Sequence, residues 1–348
     1  MKHCVKFEKS LKETTILTPS TGFKPEIQVV ERRKDTLLER WCRINIERAN
    51  RPKIKAGDSS VLELAESSRK TCPFCPDRVE TNTPMFSKSL IPEGRLRVGE
   101  AIALPNLFAF AQHHAVVVLT REHFLPLDRL DAMHIRNGLE ASISYIKAVM
   151  AKHPQVRFCS INWNHLLTAA ASMLHPHFQV IADEAPTRYI YEVLEASRVF
   201  QEKHGVSYWS DIVEAEEENL ERFIGGFGGS KWYTSFCGFG NNDVVGVVDA
   251  SNLFEMSEAT LGDFSKGLSA MLKGYNALGV QGFNMSMFSG PLDTQSRHFS
   301  VHLRMISRPD VKPLYTTDTG FMERLHDEVV VETMPEDVAS KIRSAISG

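Results

Sequence analysis

The sequence predicts an α+β fold in which a strand–helix–strand–strand unit occurs twice. In the first unit, an apolar run at 114–119 indicates a buried strand, and apolar residues at helical spacing over 128–152 indicate an amphipathic helix. Strand patterns follow at 157–164 and 174–180. A second series in the same order fills the C-terminal half. We therefore expect antiparallel sheets with packed helices, built from a duplicated unit.

The composition is that of an ordinary soluble globular protein. Of the 348 residues, 43% are hydrophobic and 24% are charged. A formal net charge of -3 indicates no nucleic-acid partner, and no apolar run of about 18 residues predicts a membrane span. The N-terminus has no apolar signal segment, and six cysteines in a chain this long do not suggest a disulfide scaffold. We expect a cytoplasmic protein with no membrane or nucleic-acid partner.

The region before the first unit predicts a hairpin and then a basic turn. Apolar and β-branched residues flank a turn-forming centre between 30 and 46. Arg48 and Arg51 follow, three residues apart, just before Pro52. Arginine makes bidentate contacts with phosphate groups. The turn is therefore a candidate phosphate contact, with a solvated basic surface as the alternative.

A Cys-x-x-Cys pair, Cys72 and Cys75, stands in the sequence Thr-Cys-Pro-Phe-Cys-Pro. Such a knuckle is a common half of a zinc site and needs two further ligands. A redox pair is an alternative, although no thioredoxin-like βαβ pattern follows it. Two ordinary buried cysteines are the other alternative.

The last strand of the first unit has the strongest chemical pattern, two histidines two residues apart. In an extended strand His175, His177 and Gln179 share one face, and Phe178 and Val180 point to the core. An imidazole can be a base, a metal ligand or a nucleophile. The glutamine amide can donate to a charged oxygen. The alternative is a histidine-containing strand without chemistry.

The second unit lacks this pair of histidines. Its predicted elements are a strand at 244–248, a helix at 257–278 that begins at the N-cap Ser257, and strands at 282–287 and 297–303. We expect His298 and Phe299 to correspond to His177 and Phe178. Only the first half is therefore chemically complete.

The two units imply a division of the chain into three parts. We predict an N-terminal domain over 29–184, a mostly helical linker over 185–235 and a C-terminal domain over 236–348. The tail from about 317 is expected to end in a helix that docks back on the protein.

In this order, the motifs resemble those of galactose-1-phosphate uridylyltransferases and their relatives, a branch of the histidine-triad superfamily. The resemblance runs from roughly Glu31 to Arg343. It rests on the duplicated half and on five motifs: RRKDTLLERW, ERANRP, CPFC, LTREH and ASMLHPHFQ. It implies a duplicated histidine-triad fold and a homodimer whose site is completed across the subunit interface.

The resemblance implies one bound Zn²⁺. The ligands would be Cys72, Cys75, His123 and His175, a closed tetrahedral set. Some uridylyltransferases have a second metal site in the C-terminal half. The corresponding places here read Phe288, His302 and Arg304, so we expect one metal rather than two.

The resemblance also implies nucleophilic catalysis by His177. Its imidazole would attack the α-phosphorus of a nucleotide sugar and expel a sugar 1-phosphate, and an acceptor would then cleave the nucleotidyl-histidine. Gln179 would donate to a phosphoryl oxygen. The other implied site residues are the phosphate contacts Arg48, Arg51, Asn164 and Ser172, the nucleoside contacts Asn106 and Phe108, and the sugar contact Glu328.

Several positions depart from the family pattern. Leu166 and Ala170 replace glycines, and Leu107 replaces a ribose-binding acid. Asp327 and Met334 differ from the family residues near the sugar contact, so neither uridine nor galactose is specified. The Ala-Ser-Met run before the histidines resembles the branch of adenosine-diphosphate-glucose phosphorylase.

The leading functional hypothesis is nucleotidyl transfer between a nucleoside-diphosphate sugar and a sugar 1-phosphate. The enzymatic alternative is a phosphorylase or hydrolase of nucleoside-diphosphate sugars or dinucleoside polyphosphates. The alternative from another class is a non-catalytic, zinc-stabilised protein that binds nucleotides. Intact His177 and Gln179 favour an enzyme over this last possibility.

Overall fold

A ten-stranded antiparallel sheet is the central element of the protein. A computed structural model describes residues 3–50, 61–311 and 317–347. The strands of this sheet are β4 Leu96–Val98, β5 Ala101–Pro105, β6 His113–Val118, β7 Phe158–His165, β8 His177–Asp183, β9 Phe223–Phe227, β10 Ser230–Thr234, β11 Val244–Val248, β12 Gly282–Phe288 and β13 His302–Arg308.

The order of the strands shows the duplication directly. The sheet runs β4-β5-β6-β8-β7-β12-β13-β11-β10-β9. In its middle β7 pairs with β12, with Asn164 opposite Asn284. Outward from that pair the two halves repeat the same arrangement of strands. The predicted duplicated α+β fold with antiparallel sheets is therefore confirmed.

Two long helices cover one face of this sheet. The helices of the described residues are α1 Val61–Arg69, α2 Val79–Asn82, α3 Ala132–Lys152, α4 Arg188–His204, α5 Tyr208–Asn219, α6 Glu258–Ala277, α7 Phe321–Leu325 and α8 Pro335–Ser347. The Asp131 side chain caps α3, and the Ser257 hydroxyl accepts from Thr260 N at the start of α6, as predicted. Helices α3 and α6 pack together over the main core, which leaves the other face of β7, β8 and β12 open.

Helix α3 approaches β8 closely because it carries a glycine. A Cβ at Gly138 would lie 2.3 Å from Leu119 Cδ2 and 2.9 Å from Phe178 Cε2. Phe178 is fully buried and follows His177 in β8. The helix therefore supports the strand that carries the first candidate side chains.

A smaller sheet flanks the large one. It has the order β1-β2-β3-β14, with β1 Lys9–Leu17, β2 Pro25–Lys34, β3 Trp41–Ile44 and β14 Val329–Val331. Strands β2 and β3 pair antiparallel, which confirms the predicted hairpin. Helix α8 packs on α6, where Ile342 fills the space beside Gly274. The described part of the tail therefore docks as predicted.

The predicted strand 297–303 is wrong. Residue 298 lies in a turn in which Phe299 N donates to Ser296 O at 2.9 Å. Strand β13 begins at His302, which pairs with Val247. The counterpart of His177 is therefore His302 rather than His298, because the shared His-Phe dipeptide precedes the strand in the second half.

The three-part division of the chain stays a prediction. Helices α4 and α5 lie in the predicted linker, and the last residues of that segment form β9 and β10, which extend the large sheet. None of the described helices has both the length and the apolar character that a membrane crossing requires.

Candidate functional site

Four buried cysteine and histidine side chains meet at one end of β8. Cys72 and Cys75 come from the loop between α1 and α2, His123 follows β6, and His175 precedes β8. Their ligand atoms all lie within 4.8 Å of one another. Cys72 Sγ is 3.7 Å from His175 Nδ1, and Cys75 Sγ is 3.5 Å from His123 Nδ1. The fold thus brings the Cys-x-x-Cys pair and the two histidines together.

The geometry and chemistry of these four residues fit a metal ion. Tetrahedral coordination at typical zinc bond lengths separates sulfur from nitrogen by about 3.6 Å. His175 Nε2 donates to Thr120 O at 2.7 Å, and His123 Nε2 lies 3.0 Å from Ser68 Oγ, which leaves both Nδ1 atoms for a metal. Burial raises the pKa of Cys72 to about 11 and lowers the pKa of His175 to about 4. A thiolate there needs a positive partner.

The expectation that His175 shares a strand face with His177 and Gln179 is wrong. Strand β8 begins at His177, and His175 lies before it with its ring in the metal-ligand cluster. Pro176 separates the two histidines, and its carbonyl accepts from Leu119 N at 3.0 Å. The two imidazoles therefore have different surroundings, and only His177 lies on the open face beside Gln179.

The hydrogen bond of His177 fixes which ring nitrogen carries the proton. Nδ1 is 2.7 Å from the carbonyl oxygen of His175, which can only accept, so Nδ1 is protonated. Burial lowers the pKa of His177, which favours the neutral ring. The Phe74 ring lies 5.4 Å from the imidazole, between centroids. The remaining nitrogen, Nε2, therefore has a lone pair available for a bond.

His177 borders a cavity of about 640 Å³ on the open face of the large sheet. Side chains from β8, β7 and the loop after β5 line it together with Phe74 of the Cys-x-x-Cys loop. The cavity brings together six of the predicted site residues: Asn106, Phe108, Asn164, Ser172, His177 and Gln179.

The loop between Asn164 and Ser172 adopts a glycine-like backbone without glycine. Leu166 has φ 67° and Ala170 has φ 64°. Asn284 of β12 holds this loop, because its Nδ2 donates to Asn164 Oδ1 at 2.8 Å and to Ala169 O at 2.9 Å. The loop therefore keeps a compact turn beside the cavity despite its departure from the family pattern.

Two further predicted site residues, Arg48 and Glu328, do not line this cavity. Arg48 lies in the exposed turn Ile46–Asn50. Glu328 Oε1 accepts from Arg43 Nε at 2.5 Å and lies 3.5 Å from Arg32 Nη2. Arg51 lies outside the described residues. Arg48 and Glu328 lie in the region of the small sheet and are not neighbours of His177 within one chain.

The second half has a different set of side chains at the equivalent place. His302 Nδ1 lies 3.0 Å from Ser300 O, as His177 Nδ1 contacts His175 O. The His302 ring stacks on Trp209 with centroids 4.2 Å apart, and Arg304 takes the place of Gln179. Its guanidinium lies 3.7 Å above the Phe239 ring centroid. His302 and Arg304 therefore occupy the same backbone positions as His177 and Gln179, but their side chains pack against aromatic rings.

Comparison with known proteins places the chain in a family. No family model matches it. A protein of Archaeoglobus fulgidus, described as uncharacterized, is 30% identical over 342 residues, which are 97% of this chain and 98% of the archaeal protein. The chain belongs to that protein's family.

Solved structures extend the comparison to the fold. An ADP-glucose phosphorylase from Arabidopsis thaliana with bound ADP-glucose has a TM-score of 0.71 at 19% identity, over 90% of this chain and 98% of that one. A GalT-like protein from Arabidopsis thaliana gives 0.70 at 19% identity, over 91% and 99%. A uridylyltransferase gives 0.66 at 19% identity, over 91% and 98%. The fold implied by the sequence resemblance is confirmed.

Sequence reasoning missed several residues at or beside the cavity. These are Phe74 and Ser286, which line the cavity, and Asn284, which holds the loop next to it. A side-chain role was predicted for none of them. A signal for the last two exists, because they alternate with apolar residues in β12. His114 gave no such signal, although its Nε2 lies 3.0 Å from Gln179 Oε1.

Proposed function

We propose that the protein is a nucleotidyltransferase that forms a nucleotidyl-histidine at His177. It moves a nucleoside monophosphate from a nucleoside-diphosphate sugar to a phosphorylated acceptor. The observation that carries this proposal is the hydrogen bond from His177 Nδ1 to His175 O at 2.7 Å, which leaves a lone pair on Nε2 beside the cavity. The similar folds of an ADP-glucose phosphorylase and of uridylyltransferases support it.

The reaction has two displacements at the same phosphorus. In the first, the His177 Nε2 lone pair forms a bond to the α-phosphorus, and the bond to the bridging oxygen breaks with its electron pair leaving on the sugar 1-phosphate. In the second, a phosphate oxygen of the acceptor attacks that phosphorus, and the nitrogen–phosphorus bond breaks. The imidazole returns to its neutral form, so no net proton transfer to the ring is needed.

Neighbouring polar groups would bind the phosphoryl oxygens. Gln179, Asn164 and Ser172 offer amide and hydroxyl donors around the cavity. Positioned donors of this kind act on charge spread over phosphoryl oxygens. In a homodimer, the second subunit would supply Arg48, Arg51 and Glu328. This arrangement is proposed because Arg48 and Glu328 do not line the cavity of their own chain.

We further propose that the four-residue cluster holds Zn²⁺. Cys72, Cys75, His123 and His175 supply two thiolates and two imidazoles, the donor set of closed structural zinc sites. When bound, the ion would fix the Cys-x-x-Cys loop to the start of β8 and takes no part in the transfer. All six cysteines are unpaired, which agrees with a cytoplasmic location.

Trapping the intermediate tests the proposed function. The protein is incubated with ADP-glucose or UDP-glucose labelled in the nucleoside, without acceptor. We expect one base-stable, acid-labile nucleotidyl group per active chain, and no label on His177→Gln. His153→Gln, which changes a half-buried histidine at the end of α3, should label normally.

The acceptor is identified by discharge of the label. Release by sugar 1-phosphates indicates a transferase, release by phosphate alone a phosphorylase, and rapid release by water a hydrolase. If ADP-glucose or UDP-glucose binds and never labels the wild-type protein, the non-catalytic nucleotide-binding alternative replaces this proposal.

A further inference from the structure

His114 is a buried histidine on the strand next to β8, and it contacts Gln179 of the cavity lining. It lies in β6 opposite Ile181 of β8, and Val116 lies opposite Gln179. His114 and Gln179 are therefore diagonal neighbours on the same face of the sheet. Only 4% of His114 is exposed. A histidine buried at this place must satisfy its ring nitrogens within the protein.

Phe110 and Gln179 indicate which ring nitrogen of His114 carries the proton. Phe110 N–H points at Nδ1 at 3.4 Å, so Nδ1 is the acceptor. Burial lowers the pKa of His114, so the ring is neutral and its proton lies on Nε2. Nε2 is 3.0 Å from Gln179 Oε1 and donates to it. The Phe110 ring also packs edge-on against the imidazole, with centroids 4.3 Å apart.

This bond decides which end of the Gln179 amide faces a ligand. The amide oxygen is occupied by His114, so the two amide hydrogens remain for the cavity. Without His114 the amide could rotate and present its oxygen, which would repel a phosphoryl oxygen. Asn106 lies beside the same ring, with its Nδ2 3.1 Å from His114 Nε2 and its Oδ1 accepting from Phe108 N at 2.9 Å. Asn106 Nδ2 and a protonated Nε2 are both donors, so this is a contact and not a hydrogen bond, and the Asn106 amide hydrogens are left for a ligand.

We infer that His114 is a positioning residue that orients the Gln179 amide so that its nitrogen donates to the phosphate of the bound nucleotide. The inference rests on the proposed function, because it assigns Gln179 a donor role in transfer to His177. In this assignment His114 has no direct role toward the phosphate or the attacking nitrogen. It acts through Gln179, and its effect depends on the presence of that side chain.

The test compares two replacements of His114 in single-turnover labelling with ADP-glucose and UDP-glucose. His114→Leu removes the donor and should slow labelling about 10- to 100-fold, the range typical of residues that orient a directly acting group. His114→Gln retains an N–H donor and should stay within about threefold of the wild type. Binding of ADP, measured by calorimetry, should change little in either variant. His113→Leu is the matched control, since His113 lies on the opposite face of β6 beside His153.

A double-mutant cycle separates positioning from a merely structural role. In a Gln179→Ala background, His114→Leu should cause no further loss of rate. An equal loss in both backgrounds, or labelling of His114→Leu at the wild-type rate, would overturn the inference. If His114→Leu does not fold, His114→Phe removes both nitrogens and keeps the ring contact with Phe110. A wild-type protein that never labels contradicts the proposed function itself, which distinguishes the two failures.

Discussion

Ala170 holds a backbone conformation that ordinarily favours glycine. It has φ 64° and ψ 24° at the end of the short turn beside the cavity. The left-handed region costs a residue with a Cβ about 1–2 kcal/mol, so glycine relieves strain in the folded state. Glycine also has greater freedom in the unfolded chain, which offsets part of this stabilisation. We predict that Ala170→Gly raises the free energy of unfolding by about 0.5–1 kcal/mol, measured by urea denaturation.

The control for this change is the next residue in the chain. Ala171 is buried and is not among the residues with positive φ. Ala171→Gly should therefore lower the free energy of unfolding, by about 0.5–1 kcal/mol. Loss of stability on Ala170→Gly would show that the turn relaxes away from the left-handed region in solution.

Replacing the Cys72 sulfur by oxygen tests whether the four-residue cluster binds a metal ion. We predict that the purified wild-type protein holds about one zinc ion per chain and that Cys72→Ser loses it, because a hydroxyl is a poor ligand in a thiolate site. Metal analysis and a thermal melt should show loss of zinc together with a lower midpoint. Cys4→Ser changes a half-buried cysteine outside the cluster and should retain the metal. Wild-type protein without metal, when purified without chelator, would contradict the assignment.

At the scale of elements, the glycine in α3 determines how closely that helix packs on the sheet. A Cβ at Gly138 would meet Leu119 and Phe178 at under 3 Å. Gly138→Ala should therefore lower the free energy of unfolding by about 1–3 kcal/mol. Because Phe178 adjoins His177, we also expect slower labelling. Urea denaturation and single-turnover labelling measure the two effects.

Gly262 in α6 is the control for Gly138, because it is a helical glycine with open space around it. The nearest atom to a Cβ there would be Arg136 Nη1 at 3.9 Å, an ordinary contact. Gly262→Ala should raise the free energy of unfolding by about 0.5–1 kcal/mol, because alanine has the higher helix propensity. If Gly138→Ala also raises the free energy of unfolding, helix propensity rather than close packing explains the result for Gly138.

Periodicity predicted most elements because burial on one face imposes it on the sequence. The helix α3 and the strands β7, β11 and β12 lie close to their predicted positions for this reason. The start of β13 could not be predicted from the His-Phe dipeptide. The register of this strand is set by its pairing with β11, in which His302 lies opposite Val247. Strand registers of this kind depend on partners distant in the chain.

The site was predictable only where its chemistry is local in sequence. The Cys-x-x-Cys pair and the two histidines before Gln179 are local patterns. The two histidine ligands, His123 and His175, were assigned through family resemblance, because their pairing with the cysteines across 48 and 103 residues depends on the fold. The alternation in β12 indicates which face Asn284 occupies. Its contacts, like those of His114, depend on neighbouring strands.

At the scale of the whole molecule, an ion-pair network joins the small sheet to the C-terminal helix. Glu336 at the start of α8 contacts Arg33 Nη1 at 2.8 Å and Nη2 at 3.0 Å, and also contacts Arg222 Nη1 at 3.0 Å. Burial opposes ionisation, but hydrogen bonds and the charge of Arg33 outweigh it and lower the pKa of Glu336 to about 2. The network therefore depends on an ionised carboxylate.

This network predicts a loss of stability in acid. A carboxylate whose pKa falls from 4.5 in the unfolded chain to about 2 in the folded one stabilises the protein above pH 4.5, and that contribution is lost as the pH falls toward 2. We expect a contribution on the order of 2 kcal/mol, since the side chain is 26% exposed. Unfolding by urea at a series of pH values measures it.

Glu336→Gln isolates the contribution of this one carboxylate. The variant should be less stable than the wild type at neutral pH, because buried Arg33 keeps Glu31 as a partner but loses the charge of Glu336. The difference between the two proteins should narrow between pH 4.5 and 2. Glu258→Gln, at a 95% exposed position, should follow the wild-type profile. A constant difference across this range would contradict the assigned pKa.

The central pairing of β7 with β12 has an evolutionary consequence. In an assembly of two identical subunits, every mutation changes both sites at once. Joining the two copies in one polypeptide removes that restriction, so each copy accumulates substitutions independently. One copy here has histidine and glutamine at the start of β8, and the other has a histidine and an arginine that lies over an aromatic ring at the matching place. Fusion therefore lets two copies of one unit differ in chemistry within the same continuous sheet.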